Sequence, residues 1–73
     1  MSVESAVIEI IVNGEPRPMP RGQTIAGLLD SLGFAEDRVA VEMDRRIVRR
    51  EQWVDTRPEA GARVEIVYFV GGG

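Results

Sequence analysis

Cysteine and histidine are both absent from the 73 residues of this chain. Without cysteine the protein cannot form a disulfide, a thiolate metal site or a cysteine nucleophile. Without histidine it lacks the commonest general base and the commonest metal ligand. These absences predict a protein that is not an enzyme and that binds neither a metal nor a cofactor.

Lysine is missing too, since all nine basic residues are arginine, and the formal net charge is −3 at pH 7. A negative balance argues against a nucleic-acid binder, which usually carries a basic surface. The absence of lysine leaves no side-chain amine that could accept an acyl group from an activated carboxylate. Compositional bias in the genome is the simpler explanation of that absence.

Long hydrophobic runs are also lacking. The apolar stretch at residues 6–12 is interrupted by Glu9 and preceded by Glu4 instead of basic residues, and it is too short to span a bilayer. A chain of this length holds one domain with a thin core. We therefore predict a soluble, cytoplasmic protein with no membrane partner and no nucleic-acid partner.

The first third of the chain has the pattern of a β-hairpin. The β-branched residues at positions 6–12 predict a strand, and Asn13-Gly14 is the strongest short signal for a hairpin turn. The returning strand, residues 15–20, has proline at every second position. All the missing N–H groups then lie on one side, which predicts an edge strand that is protected against pairing with other chains.

One helix follows the hairpin. Thr24 is a plausible N-cap, and Gly33 a plausible C-terminal residue. Between them runs a single apolar stripe at helical spacing, made of Ile25, Leu28, Leu29 and Leu32. Gly27 lies inside the helix, where it could allow close packing on the sheet.

Short strands are predicted in the second half of the chain at residues 38–43, 46–48 and 63–70. Asp44-Arg45 would form the turn between the first two. The irregular segment at residues 49–57 has Trp53 and Val54 as its only large apolar anchors. This order predicts an α+β fold, a mixed sheet of four to five strands with one main helix packed on one face.

Glu9 and Glu65 indicate which sheet face meets water. If both point outward, the residues beneath the helix are Ile8, Ile10, Val12, Val64 and Ile66. The opposite face then carries Val7, Ile11, Val67 and Phe69. An exposed apolar patch of this kind usually marks a partner site. Alternatively, Phe69 folds over the sheet edge and completes the core.

The chain closes on three glycines, Gly71-Gly72-Gly73, directly after Val70. A frayed terminus is the ordinary explanation of such an end. However, the rest of the chain offers no other reactive centre. Glycine has no Cβ and can pass through a narrow channel, and four extended residues reach about 13 Å. We predict a folded domain at residues 1–69 and a flexible tail at 70–73 whose carboxylate, on Gly73, is the reactive group.

Taken together, these segments resemble the ubiquitin-like β-grasp sulfur carriers, and among them the thiamine-biosynthesis carriers of the ThiS family. The likeness covers nearly the whole chain. Its most specific parts are the segment Ile47-Val48-x-Arg50-x-x-Trp53 and the glycine terminus, which favour ThiS over the small subunit of molybdopterin synthase. The other matching segments are residues 10–15, 23–25, 28–29, 32–33, 39–42 and 64–67. Asp44-Arg45 departs from the pattern, because such carriers often have Asn-Gly there.

The resemblance implies a carrier that partner enzymes act on, a protein co-substrate. A ubiquitin-activating-type adenylyltransferase (ThiF-like) would use ATP to adenylate Gly73, with Gly72 part of the same reactive end. A sulfurtransferase or cysteine desulfurase relay would convert it to a thiocarboxylate. A thiazole synthase (ThiG-like) would then accept the sulfur. The residues expected to contact these partners are Gly71, Val70, Phe69 and Val67.

Other functions stay open at this point. The chain could carry sulfur for molybdopterin or another pathway, or it could be a noncovalent ubiquitin-like interaction module. An enzyme would have to rely on Asp30, Glu36 and Asp37, which the sequence places at an exposed helix end and its loop. An arginine cluster could steer an acidic partner surface or could simply be solvated. Its members are Arg45, Arg46, Arg49 and Arg50.

Overall fold

The computed structural model of the chain describes residues 6–69, which form a five-stranded mixed sheet with one α-helix across one face. The strands are β1 (Val7–Val12), β2 (Glu15–Pro20), β3 (Val39–Met43), β4 (Arg46–Val48) and β5 (Arg63–Tyr68), and the helix is α1 (Ile25–Leu32). Two short 3-10 helices lie at Glu36–Arg38 and Arg50–Gln52. The spatial order is β2-β1-β5-β3-β4, with β1 and β5 parallel and the other pairs antiparallel. The predicted α+β arrangement is confirmed.

The first hairpin has the register that Asn13-Gly14 predicts, with Val12 opposite Glu15. In a two-residue hairpin the pair beside the turn exchanges both hydrogen bonds, and bonded and non-bonded pairs then alternate. The prolines of β2 therefore all occupy non-bonded positions, and their missing N–H groups face outward. β2 lies at the sheet edge, as predicted. Its outer side lacks the backbone N–H donors at the three proline positions, so another strand cannot pair with it there.

Helix α1 begins and ends at the predicted residues. The Thr24 hydroxyl accepts a hydrogen bond from the Gly27 N–H at 3.1 Å, and Gly33 ends the helix with a left-handed φ of 82°. The suggestion that Gly27 allows close packing on the sheet is wrong. A Cβ added at Gly27 would instead meet the side chain of Gln23, at 3.1 Å.

The core lies between α1 and one face of the sheet. It contains all five strand residues predicted to lie beneath the helix, Ile8, Ile10, Val12, Val64 and Ile66. Trp53 is buried as well, and its indole N–H donates to the Val48 carbonyl at 2.8 Å. Val54 is not an anchor, because its side chain is 61% exposed. Trp53 is the large apolar anchor of the irregular segment, and the carbonyls of Trp53 and Thr56 also accept hydrogen bonds from the first turn of α1.

Three predicted strand boundaries are wrong. β1 begins at Val7, one residue later than predicted. Arg38 does not belong to β3, because its N–H donates to the Ala35 carbonyl and closes a 3-10 turn. β5 ends at Tyr68, earlier than the predicted strand of residues 63–70. The predicted contribution of Val70 lies outside the described residues.

Candidate functional site

β5 is the strand that leads to the glycine tail, and it lies at the centre of the sheet between β1 and β3. Its core-facing residues Val64 and Ile66 are buried. After the strand ends, the Phe69 N–H still donates to the Arg38 carbonyl at 2.7 Å. The chain is therefore fastened to the sheet up to residue 69. The predicted reactive and contact residues beyond it, Val70, Gly71, Gly72 and Gly73, lie outside the described residues.

Asn13 fastens β5 from the β1 side. Strand β1 pairs with β5 through only two positions, and Asn13 then continues the contact from within the hairpin turn. Its backbone N–H donates to the Val64 carbonyl at 2.9 Å. Its side-chain amide donates to the Ile66 carbonyl at 3.2 Å and accepts from the Ile66 N–H at 2.7 Å. The Asn13 side chain thus takes the place of a further strand residue.

Asp44 fastens β5 from the β3 side. Its backbone N–H donates to the Arg63 carbonyl at 2.8 Å, and its carboxylate accepts from the Arg63 N–H at 3.0 Å. In the sequence, Asn13 and Asp44 are recognisable only as turn residues. Their contacts with β5 join positions far apart in the chain, so no local pattern could indicate them.

The sheet face turned away from α1, which we call the open face, has no helix or strand packed on it within residues 6–69. By strand alternation it carries Val7, Glu9, Ile11, Ala40, Glu42, Ile47, Arg63, Glu65, Val67 and Phe69. Val67 is 55% exposed and Phe69 is 52% exposed. The prediction of an uncovered apolar face is confirmed, and the alternative in which Phe69 completes the core is wrong.

Ile47 is a surface residue that was not predicted to belong to the site. Its side chain is 75% exposed, more than any other large apolar side chain that the structure describes. It stands opposite Glu42, and with Ala40 and Val67 it borders an apolar dimple of about 150 Å³. The available signal was the alternation in β4, where Val48 turns to the core and Ile47 therefore turns away.

Other predicted groups do not assemble into a site. Asp30, Glu36 and Asp37 are each exposed, and across residues 6–69 no three acidic, cysteine or histidine side chains are grouped so that they could hold a metal ion. The arginine cluster is exposed as well. None of the helices that the structure describes has the length and hydropathy to cross a membrane.

Comparison with known proteins covers the glycine tail as well as the folded domain. Residues 10–73 match the model of the ThiS family, so the match includes the closing glycines. The chain belongs to the ThiS family. The crystal structure of a thiamine biosynthesis protein (ThiS) from Geobacter metallireducens is 32% identical and superposes with a TM-score of 0.74, covering 90% of this chain and 100% of that one. The fold is accordingly the ubiquitin-like β-grasp of ThiS proteins.

Two relatives of this ThiS-family chain are much longer proteins. Proteins named thiazole synthase from Magnetococcus marinus and Paramagnetospirillum magneticum are 39% and 35% identical to it over 66 residues. Each match covers 90% of this chain but 20% of the relative. The chain thus spans about one fifth of the length of these relatives, and in them a ThiS-like segment is part of a larger polypeptide.

Proposed function

We propose that this chain is a sulfur carrier of thiamine biosynthesis and that the carboxylate of Gly73 is the group that carries the sulfur. The observation that carries the proposal is the ThiS-family match, which continues through the glycine tail to residue 73. The chain's own chemistry supports it, because the sequence has no cysteine or histidine that could serve as a nucleophile or base. In this role the chain is a co-substrate that partner enzymes act on.

The proposed chemistry has three steps. In a ThiF-like adenylyltransferase, a carboxylate oxygen of Gly73 attacks the α-phosphorus of ATP, and pyrophosphate leaves. In the second step, the terminal persulfide sulfur of a sulfurtransferase or cysteine desulfurase relay attacks the acyl carbon, and AMP leaves. A second thiol of the relay then cleaves the S–S bond of the acyl disulfide, which frees the thiocarboxylate and leaves the relay as a disulfide. The resulting thiocarboxylate delivers its sulfur to a thiazole synthase. ATP is bound by the partner, so the carrier needs no cofactor of its own.

The folded part of the carrier presents the tail at a fixed point. β5 is hydrogen-bonded from both sides, by Asn13 and by Asp44, and Phe69 is held by Arg38. Residues 70–73, of which the last three are glycines, can then reach about 13 Å into a partner while the domain stays outside. Val67, Phe69, Val70 and Gly71 are proposed as the contact residues around the entrance to the partner's site.

Changing the tail tests the proposed chemistry. Removing Gly72 and Gly73, or appending residues after Gly73, should abolish sulfur loading, because no carboxylate then lies at the reach that the partner's nucleotide site requires. The measurement is the intact mass of the carrier isolated from its host, where the loaded form is heavier by the difference between one sulfur and one oxygen atom. The matched control appends the same residues before Met1. A truncated chain that still supports growth without thiazole would refute the proposal.

A deletion strain tests the pathway. Without the gene, growth should be restored by thiazole, because only the supply of that ring would be lost. Restoration by a molybdopterin precursor would instead assign the carrier to the other pathway considered above. A noncovalent interaction module predicts a third result, in which the chain lacking Gly72 and Gly73 complements the strain fully.

A further inference from the structure

The apolar dimple on the open face adjoins a pair of carboxylates. Ala40, Ile47 and Val67 border the dimple, and Glu42 lines it as well. Glu42 also lines a neighbouring charged depression, together with Glu65 and two arginines. Glu42 is therefore the residue that joins an apolar surface to a charged one.

Glu42 and Glu65 lie directly opposite each other on β3 and β5. Both side chains are exposed, and within residues 6–69 neither forms an ion pair. Two like charges at directly opposed positions of a sheet destabilise the pairing of its strands. Arg45 and Arg63 line the same depression and offset part of this repulsion, but in the described part of the chain neither pairs with a glutamate. The two carboxylates are therefore open to a cation from a partner, which points to a role in recognition.

The open face is banded along β5. Nearest the tail is an apolar band, where Val67 lies opposite Ala40. The next level carries Glu65 and Glu42, and Ile47 lies beside Glu42. Arg63 and Arg45, which line the same depression as the two glutamates, lie at the end far from the tail. A partner that complements this face presents apolar, basic and acidic groups in that order, moving away from the site that takes the tail.

We propose that a thiazole synthase docks on the open face and places an arginine or lysine side chain across it. The aliphatic stem fills the dimple beside Ile47, and the cationic head lies between the carboxylates of Glu42 and Glu65. Long cationic side chains combine these two properties, since their stems bury on apolar surface while their heads bind carboxylates. This inference rests on the proposed function, which supplies the thiazole synthase as a partner.

The relatives favour a thiazole synthase as the occupant. In two proteins named thiazole synthase, a segment similar to this chain occupies about one fifth of the polypeptide. Joining two modules in one chain raises their effective concentration and supports contacts that would be weak between separate molecules. Whether joined or separate, the carrier has to be seated against the synthase, and the banded open face is suited to that task.

The double substitution E42Q/E65Q tests the carboxylate pair. Calorimetry at low and moderate salt measures the binding of the full-length carrier, with no sulfur loaded on Gly73, to the thiazole synthase of its own host. We expect about tenfold weaker binding and a shallower salt dependence, because a charged contact is lost. The melting temperature should change little, since the repulsion between the strands and the attraction to Arg45 and Arg63 are lost together.

Two matched controls separate this site from general surface effects. Glu9→Gln removes one carboxylate from the same face, but Glu9 has Pro18 opposite it on β2 and no second carboxylate there. It should leave binding unchanged. Ile47→Ala should weaken binding several-fold, whereas Val54→Ala, at an exposed position outside the sheet, should not.

Several results would overturn the inference. These are unchanged affinity in E42Q/E65Q, an equal loss in Glu9→Gln, or a loss seen only with the adenylyltransferase. Because the binding assay uses carrier with no sulfur loaded, its outcome does not depend on the loading reaction. Failure of the tail experiments would therefore refute the proposed function alone, and failure of the binding experiment would refute only this docking mode.

Discussion

The two hairpin turns of this chain have the same backbone shape but different chemistry. Asn13 and Gly14 have φ values of 50° and 85°, and Asp44 and Arg45 have φ values of 52° and 71°. Positive φ at both central residues is the mark of a type I′ turn, whose twist matches that of the flanking strands. Asn-Gly adopts this shape readily. Arginine does so at a cost, because its Cβ crowds the backbone in the left-handed region.

Both turns are bonded to β5, so the difference shows that tertiary contact can specify a turn that its own residues do not favour. The first turn is favoured by its own residues, in addition to the contacts of Asn13 with β5. In the second, β3 and β4 pair on either side of the turn, and Asp44 bonds to Arg63 of β5 through both its backbone and its carboxylate. These contacts impose a conformation that Arg45 alone would disfavour. The departure from the Asn-Gly of similar carriers is therefore compatible with an unchanged backbone.

The largest effect should come from breaking the first turn's contact with β5. Asn13→Ala removes both side-chain hydrogen bonds to Ile66 and leaves a part-buried N–H and C=O without those partners. We expect a loss of about 2–3 kcal/mol in the free energy of unfolding, measured by urea denaturation. Asn13→Asp retains the acceptor and loses the donor, so it should fall between the wild type and Asn13→Ala. A loss no larger than that of an exposed surface substitution would contradict the role assigned to Asn13.

A smaller effect should separate the second residues of the two turns. Gly14→Ala introduces a Cβ at a φ of 85° and should cost about 1–2 kcal/mol, although the space around that Cβ is empty. Arg45→Ala should cost almost nothing, because a Cβ is already present there. Parallel urea titrations of the two alanine variants measure the contrast. Equal losses of stability in the two variants would mean that Gly14 does not make the first turn more favourable than the second.

The same contrast explains which features could be predicted from the sequence. Strand alternation and the helical stripe are local, so β1, α1 and the two faces of the sheet follow from residues such as Glu9 and Leu28. Val54 was wrongly placed because an irregular segment has no period to tell which of two adjacent apolar residues turns inward. Ile47 was missed because β4 has only three residues, too few for an alternating pattern to indicate which side chains face outward.

Contacts between residues far apart in the chain could not be predicted, for a different reason. The Asn13 side chain bonds a residue 53 positions away, and Asp44 bonds one 19 positions away. Neither pairing leaves a periodic trace in one sequence. The candidate site was predicted in part: the exposure of Val67 and Phe69 followed from alternation, whereas Glu42 faces Glu65 only because β3 pairs with β5.

The smallest effect should come from a substitution that makes the second turn resemble the first. Arg45→Gly removes the strained Cβ at φ 71° and gives the second turn a residue as permissive as Gly14. The relief should exceed the added entropy of the unfolded glycine chain, for a net gain of about 0.5–1 kcal/mol. Urea denaturation and the melting temperature both measure it, and Arg46→Gly, inside β4, is the control that should lose stability. A loss in Arg45→Gly would mean that the arginine side chain makes a stabilising contact that outweighs its backbone strain.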